Sequence, residues 1–205
     1  ATGYDPEKLD IDALRTAFEE AAARGEVSCE DTGWSNGFNP HFLFSRGNNS
    51  NHISGINAAD SAGRTRIEIA GRASLLRLYR FLKKQPGLEK LEFKLNAAEC
   101  GVRETRTIVG LETVTAEEYA AGKKYKDAVS HAFYPIDLHD AKVGLDKRNL
   151  APGIVPTVPR GALIPRNTRH LLAAGRILSS DRLANSALRV QATCMATGQA
   201  AGALA

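Results

Sequence analysis

Apolar and polar residues alternate along this chain with two different periods, and the periods predict its elements. Asp10 precedes a run in which Leu14, Ala17, Phe18 and Ala21 recur at i, i+3, i+4 and i+7, and Gly25 follows. That is one face of an amphipathic helix with an aspartate N-cap and a glycine at C′. Thr65-Arg66-Ile67-Glu68 has the form of a capping box for a second helix with the stripe Ile67, Gly71, Leu75, Leu78 and Leu82. That helix runs to about Lys84, where Pro86-Gly87 stops it. Leu91-Glu92-Phe93-Lys94-Leu95 alternates with period two and predicts a half-buried strand.

Between these patterns, Asp31 to Gly63 is rich in Gly, Asn and Ser, with Trp34, Phe38, Phe42 and Phe44 embedded. It predicts an irregular region with one short strand near His41–Ser45. Val102–Val109 predicts an extended segment. Thr115-Ala116-Glu117-Glu118 is a second capping box, for a short helix ending at Gly122. Pro152–Pro165 predicts a loop with a short strand, His170–Ala174 a buried strand ending at Gly175, and Arg189–Ala205 a helix of small residues.

Composition narrows the function classes. The net charge is +4, but the basic residues fall in scattered pairs such as Arg64/Arg66, Lys83/Lys84 and Lys123/Lys124 rather than in a stripe. A nucleic-acid partner is therefore not expected. Cys29, Cys100 and Cys194 are odd in number and share no close spacing, which argues against a disulfide framework and against a metal site. No apolar run reaches the roughly 18 residues of a membrane helix, so no membrane is expected. Ala1-Thr2-Gly3-Tyr4-Asp5 carries no leader pattern; any targeting segment would precede it, and the cytoplasm is favoured. Ala203-Leu204-Ala205 ends a helical run without a C-cap, and the expectation is that the chain is part of a longer protein.

The stretch with most chemistry runs from His170 to Arg182 and on through Asn185-Ser186-Ala187-Leu188-Arg189-Val190: strand, glycine turn, polar loop, helix. In an open α/β sheet a ligand sits where a loop meets a helix N-terminus, and the unpaired N–H groups there favour an anion. A plain βα unit of any α/β fold has the same outline.

Leu172-Ala173-Ala174-Gly175-Arg176, Ser186-Ala187-Leu188-Arg189-Val190 and Cys194-Met195-Ala196-Thr197-Gly198-Gln199-Ala200-Ala201-Gly202 together resemble the closing motif of a FAD-dependent oxidoreductase family. Its members are two-domain flavoproteins distantly similar to the flavoprotein subunits of succinate dehydrogenase and fumarate reductase. Gly101-Val102-Arg103-Glu104-Thr105-Arg106 and Tyr134-Pro135-Ile136-Asp137-Leu138-His139-Asp140 fit the same family, so the resemblance covers about residues 50–205. It implies that Gly175 and Arg176 lie near the ribityl and pyrophosphate of FAD. It also implies that Ala187, Leu188, Arg189 and Val190 present N–H groups to the C2 carbonyl of the flavin. Asp181-Arg182 stands where many relatives have Thr-His, so no histidine role carries over there. The family's N-terminal GxGxxG has no counterpart in this chain. FAD is therefore expected to bind weakly or not at all to this chain alone.

Three further groups invite a role. Arg103 and Arg106 could bind substrate or stabilise the flavin, or form structural ion pairs with Glu104. His139, between Asp137 and Asp140, could transfer a proton or cap a loop. Trp34 and Phe38, with Asn39, Asn49 and Asn51, could line a sugar-type pocket or bury against a helix as a surface loop. The expected fold is α/β: a partial flavoprotein with a substrate-facing part at 1–96 and the C-terminal part of a FAD-binding domain at 97–205. The activity implied is hydride transfer from a small-molecule substrate to flavin N5; a non-catalytic interaction module is the alternative. The partners implied are the missing N-terminal half of the same protein or a second copy of the chain.

Overall fold

The computed structural model describes residues 1–33, 37–45, 51–94, 96–140 and 144–205. Two compact units divide at Val102/Arg103, a few residues beyond the boundary expected at 96/97. The chain is a mixed α/β protein in which helices accompany small antiparallel sheets. Among the described residues no helix is long and apolar enough to cross a membrane.

The first unit, Ala1–Val102, is helical. Helix α1 (Ile11–Ala23) forms as its pattern predicts: the Asp10 carboxylate accepts from Ala13 N–H at 2.9 Å, and Leu14, Phe18 and Ala21 are buried. Gly25 then takes φ 74°, which lets the chain leave the helix without a side-chain clash. The strand expected at His41–Ser45 is instead a helical turn, α2 (His41–Phe44). Asn39 Oδ1 accepts from His41 N–H at 3.1 Å, and the neighbours Phe42 and Leu43 are both buried, which the alternating faces of a strand do not allow.

Helix α3 (Ser61–Leu82) starts one turn before the capping box expected at Thr65. Asp60 Oδ1 takes Gly63 N–H at 2.6 Å, so Thr65 is already inside the helix and bonds Ser61 O at 3.0 Å. The Glu68 carboxylate turns to Arg72 and to the N–H of Cys100. Of the expected stripe, Leu75 is only half-buried, and Ser74 and Phe81 go inside. The core gathers Phe18, Phe38, Phe42, Leu43, Leu78, Phe81 and Leu82, with Phe18 edge-on to Phe81 at 5.5 Å. Among the described residues the strand expected at Leu91–Leu95 reduces to one bridge, Thr2 with Glu92; Leu95 lies outside them.

The second unit, Arg103–Ala205, holds the sheets. The extended segment expected at 102–109 has no regular structure, although Ile108 N–H reaches Ile177 O at 2.9 Å. Helix α4 (Ala116–Ala120) is capped by Thr115 as expected. Strand β1 (Ala128–His131) pairs antiparallel with β4 (Thr157–Pro159), and β2 (Ile136–Asp140) with β3 (Gly144–Arg148).

Two expectations for the closing segment fail. Residues 170–174 are not a strand: His170 stands at φ 56°, Leu171 is 52% exposed, and among the described residues the run makes one backbone bond, Ala173 N–H to Leu163 O. With no neighbouring strand to pair among the described residues, the apolar run stays irregular. The single helix expected from Arg189 is two helices, α5 (Arg182–Leu188) and α6 (Gln191–Leu204), parted at Val190, whose ψ of 155° is extended. The small residues of α6 divide: Ala200 and Ala201 pack against the core of this unit, whereas a Cβ at Gly198 or Gly202 would meet nothing within 4 Å.

Asp181 joins these pieces. Its Oδ1 takes Ala184 N–H and its Oδ2 takes Ala116 N–H, each at 2.7 Å, so one carboxylate caps both α5 and α4. Asp181→Ala should lower the unfolding free energy by about 2 kcal/mol, about one for each lost cap. Asp181→Asn, with a single acceptor oxygen, should lose about half of that. Urea unfolding followed by helical circular dichroism measures both; equal stability of Asp181→Ala and the wild type would refute the double cap.

Candidate functional site

The polar face of α5 fastens the edge of β2. Arg182, Ser186 and Arg189 stand at i, i+4 and i+7, one side of a helix. Ser186 Oγ accepts from Asp137 N–H at 3.0 Å and donates its own proton to Leu183 O at 2.6 Å. Arg189 Nη2 donates to Asp137 O at 3.2 Å. A strand residue points its N–H and C=O to the same side, so Asp137 turns its main chain to α5 and faces Lys147 of β3 as a non-hydrogen-bonded pair. Arg182 donates from Nη1 to Asp140 Oδ2 at 2.6 Å and from Nε to Glu104 Oε1 at 3.0 Å. The Glu104 loop and the end of β2 are thereby held by one guanidinium.

The side chains so gathered are Arg103, Glu104, Asp137, His139, Asp140, Arg182 and Arg189. Asp137 and His139 share a face of β2, with His139 Nε2 at 3.7 Å from Asp137 Oδ2. Burial pushes the His139 imidazole below the usual histidine range; Asp137 pulls it up, while Arg103 and Arg189 push it down further. Burial likewise lowers Arg189, and bonds to Asp140 and Glu104 raise Arg182. Glu104 is bonded to Arg182, so the ion-pair reading for this segment holds for the glutamate, but its partner is not Arg103 or Arg106. Arg106 is exposed and makes no ion pair among the described residues.

The residues expected around the flavin divide. Ala187 and Leu188 are fully buried in the last turn of α5, and Arg189 N–H is spent on Asn185 O at 2.9 Å. The helix start expected near Leu188 therefore falls at Gln191, where Val190 offers no side-chain cap. The first-turn N–H groups of Gln191, Ala192 and Thr193 have no acceptor within the helix, and they carry the positive end of its dipole. Gly175 turns at φ 73° and donates its N–H to Thr197 Oγ1 of α6 at 3.1 Å. A Cβ there would lie an ordinary 3.7 Å from Cys194 Sγ, so the glycine is required by φ rather than by crowding. Arg176 is exposed; its carbonyl accepts from Asn185 Nδ2 at 3.1 Å, which ties the turn to α5. Burial raises the Cys194 thiol, so it stays protonated near neutrality.

Sequence reasoning missed Asp181, Arg182, Asn185 and Ser186 as positioning residues. The i, i+4, i+7 spacing of Arg182, Ser186 and Arg189 was the available signal. In the first unit Phe38 is buried against Phe18 at 5.2 Å and Asn39 caps α2, so neither faces a sugar-type pocket; Trp34 and Asn49 lie outside the described residues. Among the described residues no group of His, Cys, Asp and Glu could hold a metal ion.

A protein-family model described as FAD dependent oxidoreductase matches residues 2–205. No curated protein and no solved structure matches the chain.

The electrostatics generate a titration test. His139 should titrate below about 6.5, the ordinary histidine value. Arg103→Met should move it up and Asp137→Asn down. Because the folded state resists the proton, stability should fall as pH drops from the unfolded value to the folded one. Imidazole proton shifts in an NMR titration measure this; a midpoint above the ordinary value refutes the assignment.

Proposed function

We propose that this chain, which belongs to the FAD-dependent oxidoreductase family, supplies the flavin-ring end of the cofactor site together with substrate-facing side chains. The observation that carries this reading is the uncapped start of α6 beside the Gly175 turn. The donor set suits a group that becomes anionic along one planar edge, as the N1 and C2 carbonyl edge of a reduced flavin does. The residues present fit that end of FAD, whereas no GxGxxG is present to take the diphosphate. Bound FAD would supply the hydride acceptor at N5.

The chain's own groups would do the rest. The first-turn N–H groups of α6 hold negative charge. Gly175 and Arg176 would hold the cofactor's linker. His139, neutral near neutral pH, can accept a proton, with Asp137 on the same strand face to orient it. Arg103 and Arg106 would face substrate. The remaining FAD contacts would come from sequence outside these residues or from a second copy of the chain. A second reading, an interaction module without cofactor, draws on the exposed apolar side chains Val109, Leu111, Phe133 and Met195 of the second unit.

Absorbance separates the two. The purified chain should leave gel filtration without one flavin per chain, yet develop a bound-flavin spectrum when titrated with excess FAD; no spectral change at any FAD concentration favours the interaction module. Val190→Asp, which caps α6 with a carboxylate, should raise stability by about 1 kcal/mol while weakening flavin binding roughly tenfold. Unchanged flavin affinity in that variant would remove the start of α6 from the site.

A further inference from the structure

We propose that Thr197 and Asn185 are positioning residues of the cofactor site, tying the Gly175–Arg176 turn to the start of α6. Their role rests on the flavin reading above and extends it to two side chains that it did not use. Gly175 N–H donates to Thr197 Oγ1 at 3.1 Å. The same hydroxyl gives its proton to Thr193 O at 2.8 Å, with Cys194 O farther off at 3.2 Å. One proton and two lone pairs let a hydroxyl make both bonds at once. Thr193 stands in the first turn of α6, and both threonines are buried. A single hydroxyl therefore joins the turn to the helix start whose N–H groups would hold the ring. At the other end of the dipeptide, Arg176 O accepts from Asn185 Nδ2 at 3.1 Å. Asn185 is itself buried and also reaches Ser180 Oγ at 3.2 Å. The turn is thus held by α6 through its N–H and by α5 through its C=O.

Local preference does not explain Thr197. Threonine is a weaker helix former than alanine, and its bond back to the carbonyl at i−4 tends to bend a helix. Valine would fill the same buried volume, so what the hydroxyl adds is the bond to Gly175. The turn needs that bond. Gly175 stands at φ 73°, and the run before it, 170–174, has no ladder to fix it among the described residues. A ligand-holding turn on an irregular run keeps its geometry only through anchors that are themselves locked in place, and Thr197 and Asn185 are both buried on helices. The exposed Arg176 side chain is carried on the turn so anchored.

Hydrogen exchange of the Gly175 N–H, read by NMR, and FAD titration, read by absorbance, test this together. Thr157→Val is the structural control. Thr157 is likewise buried, accepts a main-chain N–H from Tyr125 at 3.0 Å and donates to Lys123 O at 3.2 Å. Thr197→Val should speed the Gly175 exchange and weaken FAD, each roughly tenfold. Thr197→Ser keeps the hydroxyl and should restore both. Asn185→Leu, which strips Arg176 O of its donor, should weaken FAD as well. Thr157→Val should lower the melting temperature about as much as Thr197→Val yet change neither readout. In the wild type, bound FAD should slow the Gly175 exchange further, a measurement that needs no variant to fold. Gly175 exchange indifferent to Thr197→Val or to FAD, FAD affinity unchanged in Thr197→Val or Asn185→Leu, or an equal loss of FAD in Thr157→Val overturns the inference. Gly175 exchange that follows the Thr197 hydroxyl in a chain that takes up no FAD would overturn the flavin reading alone; FAD uptake indifferent to Thr197 would overturn this inference alone.

Discussion

The second unit depends on one carboxylate. Asp181 caps α5 with one oxygen and α4 with the other, and its own N–H bonds Val114 O at 3.0 Å. Helix starts carry N–H groups that nothing inside the helix can satisfy, and a buried start must find an acceptor for them. Here two starts draw on one carboxylate, with Thr115 as a further acceptor at α4, so displacing either helix costs a bond at Asp181. The residue after Asp181 is Arg182, the one that grips Glu104 and Asp140. Whatever the charged cluster does, its geometry is inherited from that cap.

From the cap the constraint passes along α5. Its apolar side, Ala184, Ala187 and Leu188, is buried in the core, and its polar side is spent on β2. A two-stranded sheet is marginal alone; the main chain of Asp137 gains partners from Ser186 and Arg189 instead of from a third strand. Asn185 reaches the turn at Gly175–Ile177 from the same helix. One seven-residue helix therefore fixes both the charged cluster and the glycine turn that abuts α6.

The first unit is organised by a comparable device of its own. Asp31 is buried, accepts Ser28 N–H at 2.8 Å, bonds Ser74 of α3 and receives two bonds from Arg77, the shorter at 2.7 Å. The loop chain before α2 is thus pinned to α3 by charge-assisted bonds as well as by the phenylalanine cluster. In both units an aspartate that caps a local turn also carries a long-range contact.

Local patterns were legible in the sequence wherever local physics decides. The periodicity of Leu14, Phe18 and Ala21 fixed α1, Thr115 marked α4, and the Gly25 position needed only its φ. The closing motifs identified the family, because each is a contiguous string. Tertiary structure decided what depends on partners far along the chain. Leu171-Leu172-Ala173-Ala174 has the apolarity of a strand, but among the described residues no strand lies beside it, so it stays irregular. Phe42 and Leu43 have the look of a strand, yet a helical turn lets both enter the core. Arg182, Ser186 and Arg189 could be seen to share a face, but not that β2 would lie against it. A hydrogen bond between residues dozens of positions apart leaves no local trace, since either side chain suits many partners and only the fold brings one of them within reach.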